Sequence, residues 1–149
     1  LDRPYITENE KSRQRLIRLV KNISDTDLQL VIYEEGWTIA VALAHLAFWD
    51  ERQRLMLNIW KEKGVSATPY IDDIVNDTMI PLLLAIPPRK AAELAVSAAE
   101  ALDKEIVELT PEMQKAIEAL DKLKALNRAV HRNQHLDEIE AFLRRKNTA

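Results

Sequence analysis

Three histidines are the residues of this chain best suited to chemistry. His131 and His135 stand four apart in "AVHRNQHLD", and His45 lies far upstream in "ALAHLAFWDE". Each helical residue adds about 100° of rotation, so His135 projects roughly 40° from His131. Phe142 falls at roughly 20°, Ile139 at roughly 80° and Leu120 at roughly −20°, which sets both imidazoles in an apolar stripe. Arg132 and Glu140 turn away from that stripe. Around His45, Trp49 falls at roughly 40°, Met56 at roughly 20°, Trp60 at roughly 60° and Phe48 at roughly −60°. All three rings are therefore expected to face a helical interior.

A buried imidazole needs partners for both ring nitrogens. A divalent metal ion supplies one partner to each ring. Two histidines at i, i+4 project the same way, and a third from a neighbouring helix completes three protein ligands, leaving positions open for water or substrate. Ordinary hydrogen bonds in a metal-free core satisfy the rings equally well. Residue types and spacing leave both readings open.

Other polar residues near these faces have competing roles. Arg52, roughly −20° from His45, is the candidate substrate contact. Its planar fork would clamp a carboxylate, unless it extends to solvent or pairs with Glu138. Asp50 lies roughly 140° from His45, too far round to be a ligand, and is expected to bond a neighbouring helix. Asn127 and Gln134, roughly −40° and −60° from His131, are candidates to orient an imidazole or to sit at an interface edge. Trp49 and Trp60 read as core, and Asp72-Asp73 as a solvated turn. No other strong nucleophile shares the histidine face.

The elements that must hold these groups are helical. Only two glycines occur in 149 residues, and alanine and leucine supply most of the apolar content, a composition of helix formers in one domain spanning 1–149. Leu16, Leu19, Val20 and Ile23 mark a first helix over about Thr7–Asn22. A short turn follows from Ser24 and ends near Gly36. Thr38 caps a second helix running to Lys63 and stopped by Gly64, with Trp37 poised to staple its first turn. Residues 65–81 read as a connector with a turn or two of helix around Ile71, Ile74 and Val75. A third helix starts between Met79 and Arg89, kinked or restarted at "IPPRK". Thr110-Pro111-Glu112 opens a fourth helical region reaching about Lys146, with a break expected near Asp121.

Composition narrows the function classes. A net charge of −3 argues against nucleic acid, which needs a basic patch. The one basic run, Arg144-Arg145-Lys146, complements a helix C-terminus. There is no cysteine, which excludes disulfides, thiolate metal sites and a cysteine nucleophile. No apolar run approaches the roughly 20 residues of a membrane span. No secretory leader is visible in a chain that begins at Leu1, so a cytoplasmic location is expected. Leu46, Asp50 and Leu57 form a second semi-apolar stripe, which fits either a homodimer face or packing within the chain.

The stretch "GWTIAVALAHLAFWD" resembles the second-helix signature of the DinB/YfiT-like superfamily: a Trp, a Ser/Thr cap, then an "LAHLaxWd" pattern. His131, His135 and Ile139 are similar to its fourth-helix motif, and motif order, separation and chain length agree. The resemblance implies an all-α, up-down-down-up four-helix bundle with a long crossover. It implies a zinc or nickel ion held by His45, His131 and His135. It further implies a metal-dependent transferase or hydrolase acting on a small molecule or a low-molecular-weight thiol, as in mycothiol-dependent maleylpyruvate isomerases and bacillithiol transferases. A non-catalytic metal-binding or stress-associated bundle and a metal-free interaction module are the alternatives. The chain departs from the family pattern over residues 110–127, where members often carry a Gly- or Trp-containing loop and this sequence reads as helix throughout.

Overall fold

The computed structural model describes residues 2–67, 72–120 and 123–149, with the side chains of Asp72, Asp73, Ile74, Thr78 and Leu123 excepted. It is all-helical, with no strand among the described residues. Helix α1 spans Pro4–Asn22, three residues longer at its start than the apolar periodicity predicts, because Pro4 occupies the first turn where a missing N–H costs nothing. A 3₁₀ turn, Asp27–Gln29, follows. The next segment doubles back through an isolated antiparallel bridge between Val31 and Thr38, which the sequence does not announce. Gly36 turns this loop with φ of +81°, and its N–H donates to the Tyr33 carbonyl at 3.1 Å.

Helix α2, Ile39–Lys63, has the predicted bounds. The Thr38 hydroxyl accepts from the Val41 N–H, and Gly64 ends the helix at φ +85°. Helix α3, Asp72–Leu84, with Pro81 inside it, extends to 13 residues the turn or two of helix expected in the connector around Ile74 and Val75; Ile71 lies outside the described residues. Asp72 and Asp73 begin this helix, in place of the expected turn; their side chains lie outside the described set. Helix α4, Pro88–Val107, is a fresh start at the double proline. The long predicted fourth region is three helices: α5 Pro111–Ala119, α6 Leu123–Leu126 and α7 Ala129–Thr148. Asp121, the expected break point, lies outside the described residues.

Helices α1, α2, α4 and α7 pack on one another, α2 against α4 and α7, α1 against the same two. Buried alanines at 91, 92, 95 and 99 let α4 approach α2 closely. The core has two apolar halves. One gathers Leu16, Val20, Leu43, Leu46, Leu136 and Ile139; the other gathers Tyr5, Leu57, Trp60, Leu102, Ile106 and Leu126.

Buried polar groups gather near where these halves meet along the helices: Asn9 and Ser12 on α1, Asp50 on α2, Asp103 on α4 just past Leu102, Arg128 and Arg132 at α7. Arg132 is fully buried, bonding Asp50 through Nε at 3.0 Å and Asp103 in a two-pronged pair at 2.8 and 2.9 Å. Arg128 Nε meets the other Asp50 oxygen at 2.9 Å. Arg132 does turn away from the histidine stripe, but into a second buried interface instead of water. The Asn9 side chain fixes where α7 begins. Its Oδ1 accepts from the N–H groups of Arg128 and Ala129 at 2.8 and 3.0 Å, and its Nδ2 donates to the Leu126 carbonyl at 2.7 Å. Leu46, Asp50 and Leu57 are all buried within the chain, so this stripe serves internal packing. No helix among the described residues is long and apolar enough to cross a membrane.

Candidate metal centre

The three histidines meet. His45 sits in the second turn of α2, its register set by the Thr38 cap, while His131 and His135 occupy successive turns at the start of α7. Their ring centroids are 4.9–5.0 Å apart in all three pairings. One nitrogen from each ring falls within 4.8 Å of the others, and His45 Nε2 lies 3.0 Å from His131 Nε2. His45 and His135 are buried and His131 is half-buried.

Enclosure keeps these rings neutral. Burial, followed by the proximity of His135, holds His45 down to about 3. Burial holds His131 down to about 2, with His135, His45, Arg128 and Arg132 adding to the effect. His135 is lowered by burial too, and Glu138 opposes the shift. At neutral pH each ring therefore carries one proton and one free lone pair, the form that binds metal.

This donor set fits a divalent ion. Two neutral imidazoles 3.0 Å apart can share one hydrogen bond at most, whereas an ion between them engages both lone pairs. At metal–nitrogen distances of about 2.1 Å, adjacent ligands stand about 3.0 Å apart at right angles and about 3.4 Å apart in a tetrahedron. The His45–His131 separation of 3.0 Å needs a shift of a few tenths of an ångström at most to meet either, and the third nitrogen lies within 4.8 Å of both. Three imidazoles with no thiolate suit a divalent transition ion.

Aromatic rings wall the site. Trp37 stands edge-on to His45 at 4.9 Å, so this residue covers the histidine as well as preceding the helix cap. Trp49 lies edge-on to His45 at 6.3 Å and its indole N–H donates to Asn76 on α3 at 2.9 Å. Trp49 and Trp60 are core residues, as the sequence predicts. The Arg52 guanidinium rests 5.6 Å over the Trp49 ring, one aromatic layer removed from His45. Asp50 is not near enough to be a ligand and serves the interhelical ion layer, again as expected.

The orienting residues differ from those the sequence nominates. Gln134 is exposed, and Asn127 donates to Glu8 at 2.6 Å. The partner of the triad is instead Tyr33, whose hydroxyl lies 2.8 Å from His135 Nδ1 and also donates to the Glu138 carboxylate. Burial and Glu138 raise the Tyr33 hydroxyl well above the usual phenol range, so it remains protonated. Glu138, at i+3 from His135, was discoverable by helical spacing; Tyr33 was not, because a non-helical loop delivers it. A cavity of about 360 Å³ opens on the far side of this pair, lined by Ile32, Tyr33, Glu138, Phe142 and Arg145 among others. It touches the partners of His135 and none of the three histidines.

The sequence profile of the DinB superfamily matches residues 8–147. No protein of curated function and no solved structure matches the chain.

Proposed function

The chain belongs to the DinB superfamily, and from that premise we propose that it is a divalent-metal-dependent enzyme with His45, His131 and His135 as the ligands. The carrying observation is the meeting of three neutral imidazoles from two helices within 4.8 Å. We read α1, α2, α4 and α7 as the four helices of a DinB-like bundle in up-down-down-up order. Zinc or nickel is the ion we assign, two of the transition ions that imidazole ligands suit. When bound, it would lower the pKa of a coordinated water or thiol, or polarise a carbonyl.

The chain's own residues do the rest. The three imidazoles hold the ion through lone pairs that burial keeps free of protons. Trp37 and Trp49 exclude bulk water from the His45 side. Arg52, held over Trp49, is the group we assign to a substrate carboxylate, and a low-molecular-weight thiol is the co-substrate class we favour, for a transfer or hydrolysis reaction. A location in the cytoplasm, a homodimer, and the absence of nucleic-acid and membrane partners belong to the same proposal.

The test is a transfer and hydrolysis screen with low-molecular-weight thiols and small carboxylated electrophiles. The protein is used metal-free, zinc-loaded and nickel-loaded. Activity that appears on loading and disappears in His131→Ala supports the enzyme; activity without metal refutes it. A second reading has its own observation: the cavity beside the triad opens on Tyr33 and Glu138 and not on the histidines. That favours an ion whose main effect is to tie α2 to α7. A silent screen joined to a large metal-induced rise in melting temperature selects this reading.

A further inference from the structure

We infer that Tyr33 and Glu138 form a hydrogen-bonded strut that locks His135 in its Nδ1–H tautomer and so presents Nε2 to the metal. This inference rests on the metal reading above for its purpose, though not for its geometry. The Tyr33 hydroxyl lies between two groups, His135 Nδ1 at 2.8 Å and the Glu138 carboxylate. A phenol has one proton to donate, and a carboxylate can only accept. Glu138 therefore accepts the Tyr33 hydrogen bond. The Tyr33 oxygen is left to accept, and the hydrogen in the second bond must come from His135 Nδ1. A neutral imidazole carries one proton, so Nε2 keeps its lone pair. The direct separation of His135 Nδ1 from the Glu138 oxygen is 3.8 Å, too long for a hydrogen bond, so Glu138 acts on the ring through Tyr33.

The fold invests specific residues in placing that hydroxyl. Tyr33 opens a four-residue turn closed by the Gly36 N–H on its carbonyl. The flanking chain is paired by the Ile32 N–H on the Trp37 carbonyl at 2.9 Å and the Ile39 N–H on the Leu30 carbonyl at 2.9 Å. Trp37 meets the Tyr33 ring edge-on at 5.8 Å. The loop thus joins the start of α2, which carries His45, to the turn of α7 that carries His135. Ligating histidines commonly donate their outer N–H to a carboxylate or carbonyl, and loss of that partner typically lowers metal affinity ten- to a hundredfold. Here a tyrosine is interposed, and the two residues are positioning residues with no contact to the ion.

The strut makes an unusual prediction about its two ends. Removing Tyr33 frees the ring to exchange between tautomers. Removing Glu138 does more, because the Tyr33 proton is released to donate into Nδ1, which drives the ring proton to Nε2. The experiment is long-range ¹H–¹⁵N correlation of the imidazoles in the full chain, stripped of metal, for wild type, Tyr33→Phe and Glu138→Ala. Zinc affinity is measured by chelator competition on the same samples. The expected wild-type spectrum shows a protonated Nδ1 and a bare Nε2 on His135. Glu138→Ala reverses that assignment, Tyr33→Phe mixes it, and both lose ten- to a hundredfold in zinc affinity. A merely structural role would shift melting temperature without changing the tautomer. Should Tyr33→Phe fail to fold, Glu138→Ala, at a side chain 38% exposed, carries the test alone. A wild-type His135 protonated at Nε2, or a Glu138→Ala chain that keeps Nδ1–H, overturns the inference. A wild-type chain with the expected tautomer and no zinc affinity refutes the metal reading and upholds the strut's hold on the ring.

Discussion

Acidification of the metal-free protein is the perturbation whose cost follows most directly from the site. An exposed histidine takes up a proton near pH 6.5, whereas His45 and His131 are held at about 3 and about 2. The folded chain therefore binds fewer protons than the unfolded chain at every pH between those limits. The stabilising contribution is complete above 6.5 and is lost as pH falls toward the folded values. From pH 7.5 to 5.5 each such histidine costs about 1.4 kcal/mol, so the pair costs about 3 kcal/mol. For a chain of this size that is a fall of roughly 10 °C in melting temperature. Urea denaturation at pH 7.5, 6.5 and 5.5 measures it, with the His45→Gln/His131→Gln double variant removing the background from other groups. Wild type should be steeper than the variant by about 3 kcal/mol across that range. Equal slopes would mean that the two rings protonate in the folded state as they do in water, which contradicts the enclosed triad.

Arg132→Met leaves Asp50 and Asp103 facing each other's layer without the cation they share, although Arg128 and Arg13 still touch one carboxylate each. A loss of about 3 kcal/mol in chemical denaturation is expected, the lower end for breaking a buried pair. Asn9→Ala strips partners from two N–H groups and one carbonyl at the α6–α7 junction and should cost about 2 kcal/mol. Hydrogen exchange at Arg128 and Ala129 should accelerate at the same time. Gly36→Ala meets no neighbouring atom within 4 Å, so its cost is that of the positive φ alone, about 1–2 kcal/mol in thermal unfolding.

Where local chemistry sets an element, the sequence reads it well. Thr38, Gly64, Thr110-Pro111 and the double proline before Arg89 each act within a few residues, and the helix ends they define fall where predicted. The rotation of His45, His131 and His135 into one interior is legible for the same reason: helical geometry fixes it before packing does. The failures come from contacts across the fold. The end of α6 and the start of α7 are set by Asn9, more than a hundred residues away, so the helix pattern through 111–146 gives no hint of that junction. Leu120 caps the end of α5, outside the helix that carries His131, and cannot be counted on its stripe. Arg132 looks like a wet-face cation because periodicity records one buried face, whereas α7 buries two. Tyr33 reaches His135 from a loop whose pairing depends on Val31 meeting Thr38, and single-segment periodicity carries no trace of it.

Native mass spectrometry of the purified full chain, stripped and then titrated with zinc or nickel, tests the central claim most directly. The account predicts one ion per chain for wild type, and none for His45→Ala, His131→Ala or His135→Ala with helical content retained. A wild-type chain that takes up neither ion at neutral pH, or three alanine variants that bind as wild type does, would contradict it.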